Sequence, residues 1–142
     1  MCIMKRKIFI LCILFCVTQA GLCPPRKTIA IAKSNSIQPY LKLWSAICEV
    51  ESHNNPHCYN ATERATGIVQ IRPILLRDYN KRTGKRYKLS DMYDPKISKA
   101  IFLFYAQKFP ANRLDKIARK WNGKGKQAEK YWGRVKSELD KK

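Results

Sequence analysis

The chain has 142 residues, with 29 Lys and Arg against 10 Asp and Glu, and a formal net charge of +19 at pH 7. That length supports one domain with a real core and leaves too little for two. Such a charge calls for an anionic partner, yet the basic residues are scattered rather than stacked with aromatics and no nucleic-acid motif accompanies them, so a membrane surface, a wall polymer or a merely solvated basic surface fits better than a nucleic acid.

Residues 1–20 read as an export signal: Lys5, Arg6 and Lys7, an apolar run from Ile8 to Val17, then Thr18-Gln19-Ala20 with a small residue at the cleavage point. Ten apolar residues are short for a bilayer span, and an uncleaved anchor is the alternative. Neither Cys16 nor Cys23 follows the small residues that lipid modification wants. Cleavage after Ala20 leaves 122 residues carrying 26 Lys and Arg against 10 Asp and Glu, a net of about +16. An exported chain meets membranes and wall polymers far more often than nucleic acids. Residues 21–36, rich in Pro, Lys, Ser and Asn, read as a linker, and the domain is expected over 37–142.

The first helix is expected over Leu41 to Glu51. At about 100° per residue it gathers Leu41, Leu43, Trp44, Ile47, Cys48 and Val50 on one face. Glu51 falls in the middle of that face, whereas Lys42, Ser45 and Glu49 fall on the other side. A carboxyl so placed loses hydration, which raises its pKa toward the range a general acid needs near neutral pH. The plainer reading is a helix-end Glu bonded to nearby backbone.

His53-Asn54-Asn55-Pro56 carries turn chemistry, and Asn60 to Gly67 reads as an irregular loop or a short hairpin. Cys48 and Cys58 flank Glu51; they either close a short disulfide loop in an oxidising compartment or leave Cys48 as a small buried hydrophobe. His53, His57 and Cys58 lie close together, but Pro56 breaks any helix that would align the histidines and there is no second paired cluster, so no metal site is expected. Glu63, beside Arg64 in a polar loop, reads as surface charge rather than a second acid.

Pro73 opens a helix running to about Lys81, which Thr83-Gly84-Lys85-Arg86 ends. Another helix begins near Asp94-Pro95, with Ile97, Ala100, Ile101, Phe104 and Lys108 at helical spacing; it is expected to be the buried one. Leu114, Ile117, Ala118 and Trp121 form the next, stopped by Gly123 and Gly125. Ala128, Tyr131, Trp132, Val135 and Leu139 form the last amphipathic helix. The class is mainly α, with at most a small hairpin.

Three segments occur in order: Glu51-Ser52 with Asn55-Pro56, then Gly67-Ile68-Val69-Gln70-Ile71, then Ala118-Arg119-Lys120-Trp121-Asn122-Gly123. Together they resemble the soluble lytic transglycosylase domain, from about Leu41 to Tyr131. Each motif alone is common; the ordered set after an export signal is specific. The resemblance implies a lysozyme-like single domain of the goose-type lysozyme and lytic transglycosylase kind. It implies cleavage of the β-1,4 bond between N-acetylmuramic acid and N-acetylglucosamine in peptidoglycan, without a cofactor, by a monomer in the periplasm or cell envelope.

In that family one carboxyl serves as acid and then as base, and the product is a 1,6-anhydro sugar. The resemblance gives this role to Glu51. Ser52 would fix the Glu51 backbone and cap the helix end, Gln70 would hydrogen-bond substrate, and Asn122 would hold the loop facing the acid. Asn60 would stand near a family Ser that contacts the N-acetyl sugar, although the stretch from Glu51 to Gly67 is one residue longer than expected. Trp121 replaces the family's Tyr and removes a hydroxyl that would bond the acid; it is left as an apolar wall or a surface for a sugar ring. Val69 replaces a Met. A hydrolase of the same fold, a non-catalytic cationic wall-binding module and, more remotely, an exported nucleic-acid binder are the alternatives.

Overall fold

Helix α1, Gln38–Ser52, runs through the middle of the core. In this computed structural model, which describes residues 36–141, it contributes Tyr40, Leu43, Trp44, Ala46, Ile47, Cys48 and Ser52 to the interior. Pro39 sits in its first turn, where a missing N–H costs nothing. The helix ends at His53, whose φ of 50° is left-handed and whose N–H returns to the carbonyls of Cys48 and Glu49. The expected export signal at 1–20, the linker at 21–36 apart from Ser36, and Cys23 lie outside the described residues.

After α1 the chain makes a small antiparallel hairpin, β1 (Tyr59–Asn60) against β2 (Ala65–Thr66), with Tyr59 opposite Thr66 and Asn60 opposite Ala65. Thr66 also exchanges both backbone hydrogen bonds with Ile71, at 3.1 and 2.9 Å. The Gly67–Gln70 turn is thereby pinched closed directly behind the hairpin. Helix α2, Pro73–Thr83, buries Leu76 and Tyr79 and stops at Gly84.

A 3-10 turn over Leu89–Tyr93, absent from the sequence expectation, then buries Met92. Helix α3 covers Pro95–Ala106 and starts at Asp94, whose side chain accepts the Lys96 N–H at 2.7 Å. Two expectations about α3 are corrected. Its buried line is Ser98, Ile101, Phe102 and Ala106, whereas Ala100 is exposed and Lys108 lies beyond the helix. Ser98 can enter the interior because its hydroxyl donates to the Met92 carbonyl at 2.8 Å. The most buried helix is α1, not α3.

Helix α4, Leu114–Asn122, buries Ile117 and Ala118, and α5, Lys126–Asp140, buries Ala128, Tyr131 and Val135. Helix α5 packs on both α1 and α4. Between these helices Phe102 links two indoles, with ring centroids 5.5 Å from Trp44 and 5.3 Å from Trp121. Among the described residues no helix is long and apolar enough to cross a membrane.

Candidate active site

Glu51 is the penultimate residue of α1, on the side of the helix that carries the apolar residues, and it is half-buried. Its carboxylate Oε1 accepts the Tyr131 hydroxyl at 2.8 Å. Desolvation raises the Glu51 pKa above the ordinary carboxylate value. The Tyr131 hydrogen bond and the charges of Arg134 and Arg72 pull it back down, and Glu63 pushes it up. Burial dominates. The same burial, with the carboxylate beside it, raises the Tyr131 phenol, so Tyr131 keeps its proton and remains a donor.

Tyr131 is the site residue that sequence reasoning assigned only to packing. It belongs to the buried stripe Ala128, Tyr131, Val135 of α5. The usable signal is its chemistry: a phenol inside an apolar stripe needs a partner for its O–H, and Glu51 is the acid that needs a donor. The hydroxyl that bonds Glu51 comes from α5, not from Trp121 on α4.

Of the remaining sequence candidates, Ser52, Gln70 and Trp121 gather on the turn behind the hairpin. Ser52 is buried, and its hydroxyl donates to the carbonyls of Ile68 at 2.8 Å and Cys48 at 3.2 Å. It therefore ties the end of α1 to the Gly67–Gln70 turn. Gln70 has a left-handed φ of 52°, and its side-chain amide donates to the carbonyls of Gly67 at 2.9 Å and Cys58 at 3.2 Å. Trp121 donates its indole N–H to the Val69 carbonyl at 3.2 Å. Ser52 and Trp121, from two other segments, and the turn's own Gln70 thus bond one four-residue turn.

Gly67 is the residue that turn cannot exchange. Its φ is +84°, and a Cβ there would stand 2.0 Å from the Met92 carbonyl oxygen. Only glycine meets both demands.

Asn60 stands apart from this group. It is exposed, and its side-chain oxygen accepts the N–H groups of Thr62 at 3.0 Å and Glu63 at 3.3 Å, which shapes the hairpin loop. Asn122, at the end of α4, lines a cavity of about 540 Å³ together with Glu63, Gln127, Lys130 and Arg134. Arg72, which the sequence did not single out, bridges the two sides: it donates to the Trp121 carbonyl at 3.2 Å and lies 3.9 Å from Glu63. Glu63 is more than a distant surface charge, because it shares the cavity and acts on Glu51.

No disulfide joins Cys48 to Cys58, which corrects that alternative. The His57 ring lies against Tyr93, 5.9 Å between centroids. Among the described residues no group of three His, Cys, Asp or Glu side chains is arranged to hold a metal ion.

Chemically, a half-buried carboxyl with a raised pKa and a fixed phenol donor can hold and give a proton at higher pH than an ordinary carboxyl, and take one back. A comparison with protein families matches residues 28–122, more than half of the chain, to the model described as the Transglycosylase SLT domain. That match ends before Tyr131, whose place rests on geometry. Neither the curated proteins nor the solved structures gave a match.

Proposed function

Since the chain belongs to the transglycosylase SLT family and has its lysozyme-like, mainly helical fold, we propose that it is a peptidoglycan lytic transglycosylase in which Glu51 is both the acid and the base. Peptidoglycan as the substrate follows from the family. The finer reading concerns the bond, the product and the residues.

The supporting observation is the Glu51–Tyr131 pair. In the first step the protonated Glu51 carboxyl gives its proton to the glycosidic oxygen between the muramoyl and glucosaminyl sugars. The C1–O bond breaks, and the positive charge left at the muramoyl C1 is shielded by that sugar's own N-acetyl oxygen. Glu51 is then a carboxylate, held by the Tyr131 O–H and by the nearby positive charges. In the second step it removes the proton of the muramoyl C6 hydroxyl as that oxygen bonds to C1. The product is a 1,6-anhydro ring, and Glu51 regains its proton. No water is consumed, so no second carboxylate is required to activate one.

Burial favours the protonated Glu51 that the first step needs, and Tyr131 stabilises the ionised form between the two. The strong positive charge of the chain suits an anionic wall. The reading places the protein, once exported, in the periplasm or envelope. The same-fold hydrolase differs only in what attacks C1, and Glu63 is the carboxylate that would have to activate the water.

Mass spectrometry of soluble products from purified peptidoglycan decides the matter, with the parent and Glu51→Gln compared. The expected result is anhydro-muropeptides from the parent alone. Reducing-end products would replace this reading with the hydrolase. Binding without cleavage by both proteins would replace it with a wall-binding module.

A further inference from the structure

Helices α4 and α5 are joined by Gly123, Lys124 and Gly125, and both glycines have positive φ, 138° and 76°. Gly125, at the start of α5, supplies no side-chain cap. So short and permissive a link leaves the setting of α5 on α4 to side chains. The buried stripe Ala128, Tyr131, Val135 holds α5 against the core, but apolar contact is non-directional and does not alone fix the rotation of a helix. That rotation decides where the Tyr131 hydroxyl falls.

One side chain spans the two helices. Arg119, in the last turn of α4, donates from Nη1 to Asp115 Oδ2 at 2.6 Å, one turn back on its own helix. Arg113 donates to the same carboxylate at 3.1 and 3.3 Å. The Arg113 bonds, with that of Arg119, hold the Asp115 pKa down to about 2, so the anchor on α4 keeps its charge. The Arg119 Nε reaches across to α5 and lies 2.8 Å from Glu129 Oε1, an ion pair without an aligned hydrogen bond. Its guanidinium lies 5.8 Å from the centroid of the Trp132 ring. Glu129 and Trp132, three residues apart on one face of α5, bracket the buried Tyr131 in sequence. A planar cation thus grips two points on α5 and one on α4, a geometry that a point charge does not impose.

We propose that Arg119 is a positioning residue for the candidate acid: by clamping Glu129 and Trp132 it fixes the rotation of α5 and so keeps the Tyr131 hydroxyl on Glu51, 2.8 Å away. It acts through α5. The charges that act on Glu51 are those of Arg134 on α5, Arg72 ahead of α2 and Glu63 in the hairpin loop. The effect on turnover rests on the reading of Glu51 given above, whereas the effect on the Glu51–Tyr131 bond is readable without turnover.

The test follows the Glu51 carboxyl by carbon-13 NMR in protein labelled at its glutamate carboxyls, the resonance being identified by its loss in Glu51→Gln. Arg119→Met and Glu129→Gln each break the clamp, and they change the net charge in opposite directions. A pure charge effect would raise the Glu51 midpoint in the first and lower it in the second. Loss of the Tyr131 bond should raise it in both, by about 0.5 pH, and lower kcat about threefold with KM unchanged. In a Tyr131→Phe background, with no hydroxyl left to misplace, neither substitution should move the midpoint or kcat further.

Far-UV circular dichroism checks each fold. Glu129→Gln, at a side chain 64% exposed, keeps the test decisive if Arg119→Met does not fold, because its expected rise opposes its own charge effect. Shifts of opposite sign, no shift, or a rise that survives in the Tyr131→Phe background overturns the proposal. A parent that releases no anhydro product from peptidoglycan fails the reading of Glu51, while the carboxyl titration still decides the clamp.

Discussion

The Tyr131 hydroxyl donates to Glu51 Oε1 at 2.8 Å across 80 residues of sequence. It joins the last turn of α1 to the buried stripe of α5, so the packing of those helices also sets the acid. The bond lowers the Glu51 pKa against the larger upward push of burial.

Tyr131→Phe should therefore have two effects of different kind. Loss of the donor unfixes the carboxyl and lowers kcat about tenfold, the scale of one hydrogen bond in a transition state. Loss of the same bond removes a term favouring ionised Glu51, so its pKa rises further. The alkaline limb of kcat/KM against pH, which reports the free enzyme, moves to higher pH. A Tyr131 that served only packing would lower activity without moving the limb.

Glu51→Gln should abolish turnover and stabilise the fold at neutral pH. The folded pKa of Glu51 lies above the ordinary value of 4.5, so between the two the native state holds a proton that the unfolded state has released. Stability from this group is present below about pH 4.5 and falls as pH rises through the raised folded value. As pH rises past the raised folded value the parent must carry an ionised, desolvated carboxylate, whereas the Gln variant carries a neutral amide at every pH. Urea denaturation should place the variant above the parent at pH 7, with the gap closing toward pH 4. An equal gap at both pH values would contradict the assignment.

Gly67→Ala should be among the most damaging single-methyl additions. The new Cβ meets the Met92 carbonyl oxygen at 2.0 Å and the carbonyl carbon at 2.8 Å, on a residue with φ of +84°. Relief requires the turn to leave the 3-10 segment, which pulls on Ser52, Gln70 and Trp121 together. A loss of about 2–4 kcal/mol is expected. Gly84→Ala is the control: φ is +70° there, but nothing lies within 4 Å of the added carbon. It should cost only about 1 kcal/mol of backbone strain. Thermal unfolding of the two variants separates clash from conformation.

The helices were legible because each carries an apolar face at helical spacing, with Pro39, Pro73 and Pro95 in first turns. The hairpin was legible only as an alternative, since two residues per strand leave no alternation to read. The 3-10 turn escaped because Leu89 and Met92 are its only aliphatic anchors among polar residues. On α3 the reading failed at Ser98, where periodicity scores a hydroxyl as surface and cannot know that the Met92 carbonyl receives it. Glu51, Ser52, Gln70, Trp121 and Asn122 were singled out as motif residues, and in the fold Ser52, Gln70 and Trp121 bond one turn while Asn122 lines the cavity beside α5. Tyr131, Arg72 and Arg134 were not, because their meaning lies in contacts between distant segments that periodicity does not encode.

Glu63→Gln tests whether one carboxyl is enough. Glu63 shares the cavity with Arg134, lies 3.9 Å from Arg72, and raises the Glu51 pKa by its negative charge. A mechanism in which water attacks C1 needs a base, and Glu63 is the carboxylate whose charge reaches Glu51. That mechanism predicts a collapse of about a thousandfold or more in kcat for the variant. If the C6 hydroxyl attacks and Glu51 takes its proton, activity should fall no more than severalfold, and the products should remain anhydro-muropeptides. The pH profile adds a signed check. Removing the Glu63 charge lets the Glu51 pKa fall, so the alkaline limb should move to lower pH, opposite to the shift for Tyr131→Phe. Opposite shifts from two substitutions on different elements would identify Glu51 as the group that titrates, because among the described residues it is the carboxyl that Tyr131 bonds and Glu63 repels.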